Sequence, residues 1–231
     1  SINFTQASLD GLSNINNFTS LGGVELNGTF NTTGFQNYAG PIVLLGDTAL
    51  SPTQLLIGGS VTGNNHNFTL SQTAGVITLT NANISGVQNF DVTNDASLSG
   101  SIEAAVINMD GNVTLSGDAS LTAGTAGVIN GAVAGGNHDL TLNFAGETTI
   151  GGGASGFSNI ANLTSLGDVS LDGTIQTSGA QNYAANATLT GATTLEAGAD
   201  VSFGGLVDGG EGLSINSTGT TTFAGAVGSV V

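Results

Sequence analysis

The chain has 231 residues, 16 Asp and Glu, no Lys or Arg, and a formal net charge of −16. Without cationic side chains it has no electrostatic term for phosphate backbones or anionic lipid, which excludes nucleic-acid binding and attraction to a charged membrane surface. It has no Cys or Trp, only two Pro, and 39% hydrophobic residues, a composition for a packed β-rich core rather than a disulfide scaffold or a disordered linker. No apolar run reaches the roughly 18 residues of a membrane span, and the N-terminus lacks a signal peptide's basic region. The chain therefore reads as a mature product or an excised segment, with no membrane insertion. Its acids must be satisfied by solvent, backbone N–H groups and solution cations.

Taken from the N-terminus, the chain repeats itself. Ser1-Ile2-Asn3-Phe4 opens without charge and with strong β propensity. Gly11-Leu12-Ser13-Asn14-Ile15 returns 145 residues later as Gly156-Phe157-Ser158-Asn159-Ile160. Leu26-Asn27-Gly28-Thr29-Phe30 matches Leu98-Ser99-Gly100-Ser101-Ile102 and then Leu171-Asp172-Gly173-Thr174-Ile175, at offsets of 72 and 73. Residues 65–70 return as 137–142. The expectation is three repeats of about 72 residues, over about 12–83, 84–156 and 157–231, with 1–11 completing a preceding repeat.

A finer period of 18 runs through Val43, Val61 and Leu79, through Leu171, Leu189 and Val207, and through Asn94, Asn112 and Asn130. Four coils of 18 would make one long repeat. Short alternating runs such as Val24-Glu25-Leu26 and Leu140-Thr141-Leu142 put one face inward and one outward. Asp10-Gly11, Asp110-Gly111, Asp172-Gly173 and Asp208-Gly209 supply corners where positive φ is needed. No stretch has helical periodicity. The pattern predicts an all-β parallel β-helix of about 18 residues per coil and roughly 13 coils, a rod on the order of 60 Å long. Aliphatic ladders would lie inside, and Asn ladders would hydrogen-bond along the axis.

The run Thr32-Thr33-Gly34-Phe35-Gln36-Asn37-Tyr38, its copy Thr177-Ser178-Gly179-Ala180-Gln181-Asn182-Tyr183, and the ending Thr220-Thr221-Thr222-Phe223-Ala224-Gly225-Ala226-Val227-Gly228 resemble repeats of large bacterial exoproteins of the filamentous-haemagglutinin class. The resemblance covers nearly the whole chain. It implies a right-handed parallel β-helix exported to the bacterial cell surface as a fibre or adhesin. The ending around residues 223–228 is commonly followed in such repeats by a start like Ser1–Phe4, so the chain runs from junction to junction. The end segments, Ser1, Ile2, Asn3 and Phe4 at one end and Val227, Val230 and Val231 at the other, are the expected assembly surfaces. The expected partner is the chain itself, end to end, or neighbouring repeats of a longer protein.

Enzymatic activity is not expected. Lyases built on parallel β-helices use Arg or Lys, and hydrolases need carboxylates clustered within about 5–10 Å. Asp91 and Asp110 are the one acidic pair separated by 17 to 20 residues. They read as solvated corner residues, with a shared Ca²⁺ as the alternative, and no other cofactor is implied. Asp168 and Asp172 would lie about 13 Å apart along one strand. The segment from Asp208 to Gly212 reads as a turn. His66 and His138 read as surface residues inherited by duplication. The leading function is an extracellular structural rod, a fibre or adhesin stalk. The alternative, a carbohydrate- or ice-binding solenoid, is suggested by Thr78-Leu79-Thr80 and Thr220-Thr221-Thr222; these stand as isolated runs, whereas a flat face needs such residues on successive coils.

Overall fold

A computed structural model describes residues 2–146, 148–150 and 156–228, with side chains described from residue 8 onward. Every described element is a β-strand, from Ile2–Ile15 to Thr221–Phe223, and every strand pair is parallel. A parallel pair needs a crossover, and here the crossover is the rest of the same coil, so the chain winds as a β-solenoid.

One interior column shows the winding. Val24 stacks on Ile42, followed by Val61, Ile84, Ile102, Leu121, Leu142, Ser165, Tyr183, Phe203 and Phe223. The 199 residues from Val24 to Phe223 make ten steps, so the solenoid has about 10 turns of roughly 20 residues. At about 4.8 Å per step the rod is on the order of 50 Å long. Each turn carries three short strands. Above Leu163–Ser165 the chain continues through Val169 and Leu171, then Ile175 and Thr177, and returns as Gln181–Tyr183 directly over Leu163–Ser165. Side chains alternate inward and outward on each strand, so the interior fills with Leu, Ile, Val and Phe at near-zero exposure.

The turn is about 20 residues long, where a constant period of 18 was expected, and the step varies from 16 between Ile2 and Phe18 to 24 between Val133 and Phe157. Corners absorb the difference, because an extra residue there leaves the flanking strands in register. The three proposed ladders of period 18 change accordingly. Val61 stacks on Ile42 and Ile84, Leu79 on Ile57 and Leu98, and outward-facing Val43 on Thr62. Leu171 does stack on Leu189, but Val207 lies over Ala187. The Asn column dissolves too. Asn94 Oδ1 accepts the Gln72 N–H, Asn112 Oδ1 accepts the Ala132 N–H, and Asn130 Nδ2 donates to Asp110 Oδ1.

Because the turn is longer than 18, the long repeat is not a whole number of turns. Tyr38 and Tyr183 are equivalent in sequence, 145 residues apart. Tyr38 stacks between Ser20 and Ile57, whereas Tyr183 belongs to the Val24 column one face away. Successive copies of a motif are therefore rotated to different faces of the prism.

Glycine matters most where coils touch at corners. A Cβ on Gly40 would collide with the Gly22 carbonyl, and one on Gly59 with the Gly40 carbonyl. No side chain fits at either position.

Candidate functional site

The absent cations leave 16 carboxylates to be satisfied otherwise, and the corners do much of this. A side-chain oxygen on one coil accepts a backbone N–H of the next: Asp95 from Asn112, Asp118 from Asp139, Asp139 from Asn162, Asn162 from Ala180, Asp168 from Asn186, and Asp200 from Thr220, at 2.7–3.0 Å. Corner N–H groups that no strand reaches need such an acceptor. The acids thus serve as backbone caps, and most of their charge stays in solvent.

Asp91 and Asp110 lie on adjacent coils. Asp91 stands beside Asn108 in the ladder, and the Asp110 N–H donates to the Val92 carbonyl. Partial burial, and next the negative charge of Asp110, hold the Asp91 carboxyl above the usual range. A divalent cation would relieve that repulsion, but Ca²⁺ takes 6–8 oxygen ligands. Among the described residues no three His, Cys, Asp or Glu side chains gather into a metal-holding group. Asp118 and Asp139 form a second stacked pair, 21 residues apart, which a search over 17 to 20 passes by. Only the true step length, legible in structure, finds it.

His66 and His138 occupy duplicated turns. Each backbone N–H donates to the residue three positions earlier, Gly63 or Gly135. Each Nδ1 stands 3.9 or 3.8 Å from a carboxylate, of Asp47 or Asp118 respectively. The two stand beside different interior columns, since Phe68 stacks on Thr48 whereas Leu140 stacks on Ala119.

Apolar side chains are also left exposed at the C-terminal end of the described residues. Phe223 continues the buried Val24 column and lies flat on Phe203, ring centroids 5.0 Å apart, yet is 39% exposed. Val227, bridged to Val207, is 59% exposed. Leu213 and Ile215, on the last coil, pack against the core and are only partly covered. Among the described residues, the strands Leu213–Ser217 and Thr221–Phe223 pair on one side alone, as does Ile2–Ile15 at the other end. Of the expected assembly residues, Ser1, Val230 and Val231, and the side chains of Ile2, Asn3 and Phe4, lie outside the described set.

Outward columns were harder to read from the sequence. Asn83, Ser101, Ser120, Thr141, Thr164, Asn182, Ser202 and Thr222 stack on successive coils. Their spacings of 18 to 23 hide the column from any fixed-period search. Among the described residues no helix is long and apolar enough to cross a membrane. No family model matches this sequence, and neither the curated proteins nor the solved structures compared with it contain a match.

Proposed function

We propose that this chain is an extracellular structural rod, a right-handed parallel β-helix that builds a bacterial surface fibre or adhesin stalk by stacking coil on coil, head to tail. The observation that supports it is the uninterrupted stacking of the core. The interior column from Val24 to Phe223 runs through ten parallel steps and leaves Phe223 partly exposed on the outermost described coil. A coil exposes its strand edges wherever no further coil is stacked on it, and another coil can cover them. A first coil seated there would bury Phe223, Val227 and Ile215 and pair both strands. Such a contact is heterologous and does not close, so it grows into a fibre. The resemblance of its repeats to those of filamentous-haemagglutinin-like exoproteins supports this role.

Negative-stain electron microscopy at neutral pH, with and without Ca²⁺, tests the reading. Thin fibres that are lost in Phe223→Asp are the expected result. Isolated rods of about 50 Å in every condition, for the parent and the variant alike, overturn head-to-tail stacking.

A second reading, a carbohydrate- or ice-binding solenoid, has the stacked hydroxyl and amide column from Asn83 to Thr222 in its favour. Thermal hysteresis at millimolar protein would select the ice version, and its absence removes it.

A further inference from the structure

We propose that a shallow groove on the side of the rod, between Phe35 and Thr78, binds a neutral saccharide. It is built by three adjacent coils. Their outward positions form a small lattice: Phe35 and Asn37, then Gln54 and Leu56, then Val76 and Thr78, with Phe35 beside Gln54 and Asn37 beside Leu56 beside Thr78. Apolar and amide or hydroxyl groups therefore alternate across the floor. Phe35, Leu56 and Val76 are 37%, 37% and 47% exposed. The third coil is 22 residues long where the one below is 19. Its extra residues raise the loop 73–76 beside this floor.

A second, independent observation points to a ligand. Gln72 is 5% exposed, and its Oε1 accepts the Leu55 N–H at 3.0 Å, but its Nε2 has no hydrogen-bond partner. A buried unmet donor costs about 1–3 kcal/mol. Gly75, which lines the groove with φ +85°, lies directly over it, and a Cβ there would stand 3.7 Å from Nε2. The unmet donor thus sits just under the groove, covered by the exposed turn at Gly75, and an acceptor oxygen would meet it once that turn shifts.

The chemistry selects the occupant. No lining residue is charged, although the chain carries −16 overall, so an anionic ligand is repelled by the surroundings and a cation has no carboxylate to meet. The strands Phe35–Tyr38 and Gln54–Ile57 are paired on both sides, which leaves no edge for a peptide to extend. A pyranose answers each feature, with a C–H face for Phe35 and Leu56 and hydroxyls for the side chains of Asn37, Gln54 and Thr78. The few polar groups orient it while the apolar ones bury it. The inference is independent of end-to-end stacking.

The test is an amide-detected NMR titration of the full chain with cellobiose, chitobiose, lactose and maltose. Phe223→Asp is used if fibres form, so that failure to bind is separable from failure to assemble. Saturating shifts confined to residues 35–37, 54–56 and 72–78, including the Gln72 side-chain amide, are expected for at least one sugar. Phe35→Ala, at an exposed site, should weaken that binding by about tenfold or more. No shift at tens of millimolar for all four sugars overturns the proposal. So does equal binding of an oligouronate, or an unchanged titration in Phe35→Ala.

Discussion

Gln181 is the buried polar residue on which the interior of the last coils depends. Its Oε1 accepts the Tyr183 hydroxyl at 3.0 Å, and its Nε2 reaches the carbonyls of Ile175 and Glu196 at 3.1 and 3.0 Å and Thr177 Oγ1 at 3.3 Å. Replacing Gln181 with Leu keeps the volume but strands the Tyr183 hydroxyl, which has no exposure, and removes a donor from at least one carbonyl. At about 1–3 kcal/mol for each buried group left unmet, the loss should be roughly 3–5 kcal/mol. Tyr183→Phe leaves only the Gln181 oxygen short and should cost about 1–2 kcal/mol. The chain contains two Tyr and no Trp, so the Tyr38→Phe background makes Tyr183 the sole fluorescent reporter of the region. Urea unfolding followed at that tyrosine measures the Gln181→Leu loss, and far-UV circular dichroism measures that of Tyr183→Phe; local reporting matters because neighbouring coils of a solenoid can unfold separately. Gln36 and Tyr38 repeat the arrangement, with Gln36 Nε2 on the Phe30 carbonyl at 2.7 Å and the tyrosine hydroxyl on Oε1 at 3.0 Å, and provide an internal replicate. A loss below about 1 kcal/mol for Gln181→Leu would show that the hydroxyl finds another partner, and the account of this core as a closed polar pair would be refuted.

Burial alone holds both tyrosine hydroxyls far above their ordinary ionisation range. Stability from this source is complete below the unfolded value near 10 and falls as pH rises beyond it; absorbance at 295 nm should show no tyrosinate until unfolding, and a normal titration of the folded chain would contradict it. Asp91 is also raised, by burial and then by Asp110, so its contribution is most favourable when protonated and worsens as pH rises through the raised value. Asp91→Asn should therefore raise the melting midpoint modestly at pH 7, with the gain shrinking in acid; a gain that grows as pH falls would be inconsistent. Asp139 accepts both the Asn162 N–H and its Nδ2. Asp139→Asn retains an acceptor and should be close to neutral, whereas Asp139→Ala should cost about 1 kcal/mol in urea unfolding. Equal effects of the two would mean that charge, not the acceptor, matters there. Acid or Ca²⁺ should promote side-by-side bundling by reducing the repulsion of a −16 chain, and light scattering unaffected by chelator and by pH would oppose that.

The winding of the chain was legible in its sequence because strand alternation and repetition are both local in origin. Val24-Glu25-Leu26 and Leu140-Thr141-Leu142 read correctly as buried, exposed, buried or half-covered, buried. Register was not legible. It depends on how many residues each corner consumes, and the chain spends them unevenly, as at residues 72–76. A fixed period of 18 therefore placed Val43 in a core column it does not join and missed the column from Asn83 to Thr222. The caps were half legible. The excess of acid over base showed that backbone N–H groups were needed, but which N–H meets which carboxylate follows only from the stacking. Gln72 could not have been singled out, since its unmet donor arises from the depth of one enlarged corner.

The side-chain caps also set how the chain ages. An Asn whose oxygen alone is used, as at Asn112 or Asn186, can lose its amide nitrogen to become Asp and still cap its neighbour. Asn27 and Asn130 are different, because each precedes a glycine, the step most prone to deamidation, and each uses its nitrogen to donate to a carboxylate, of Asp10 and Asp110 respectively. Deamidation at either position would set two carboxylates against each other across adjacent coils. With no lysine or arginine to compensate, an old molecule would loosen first at those two corners.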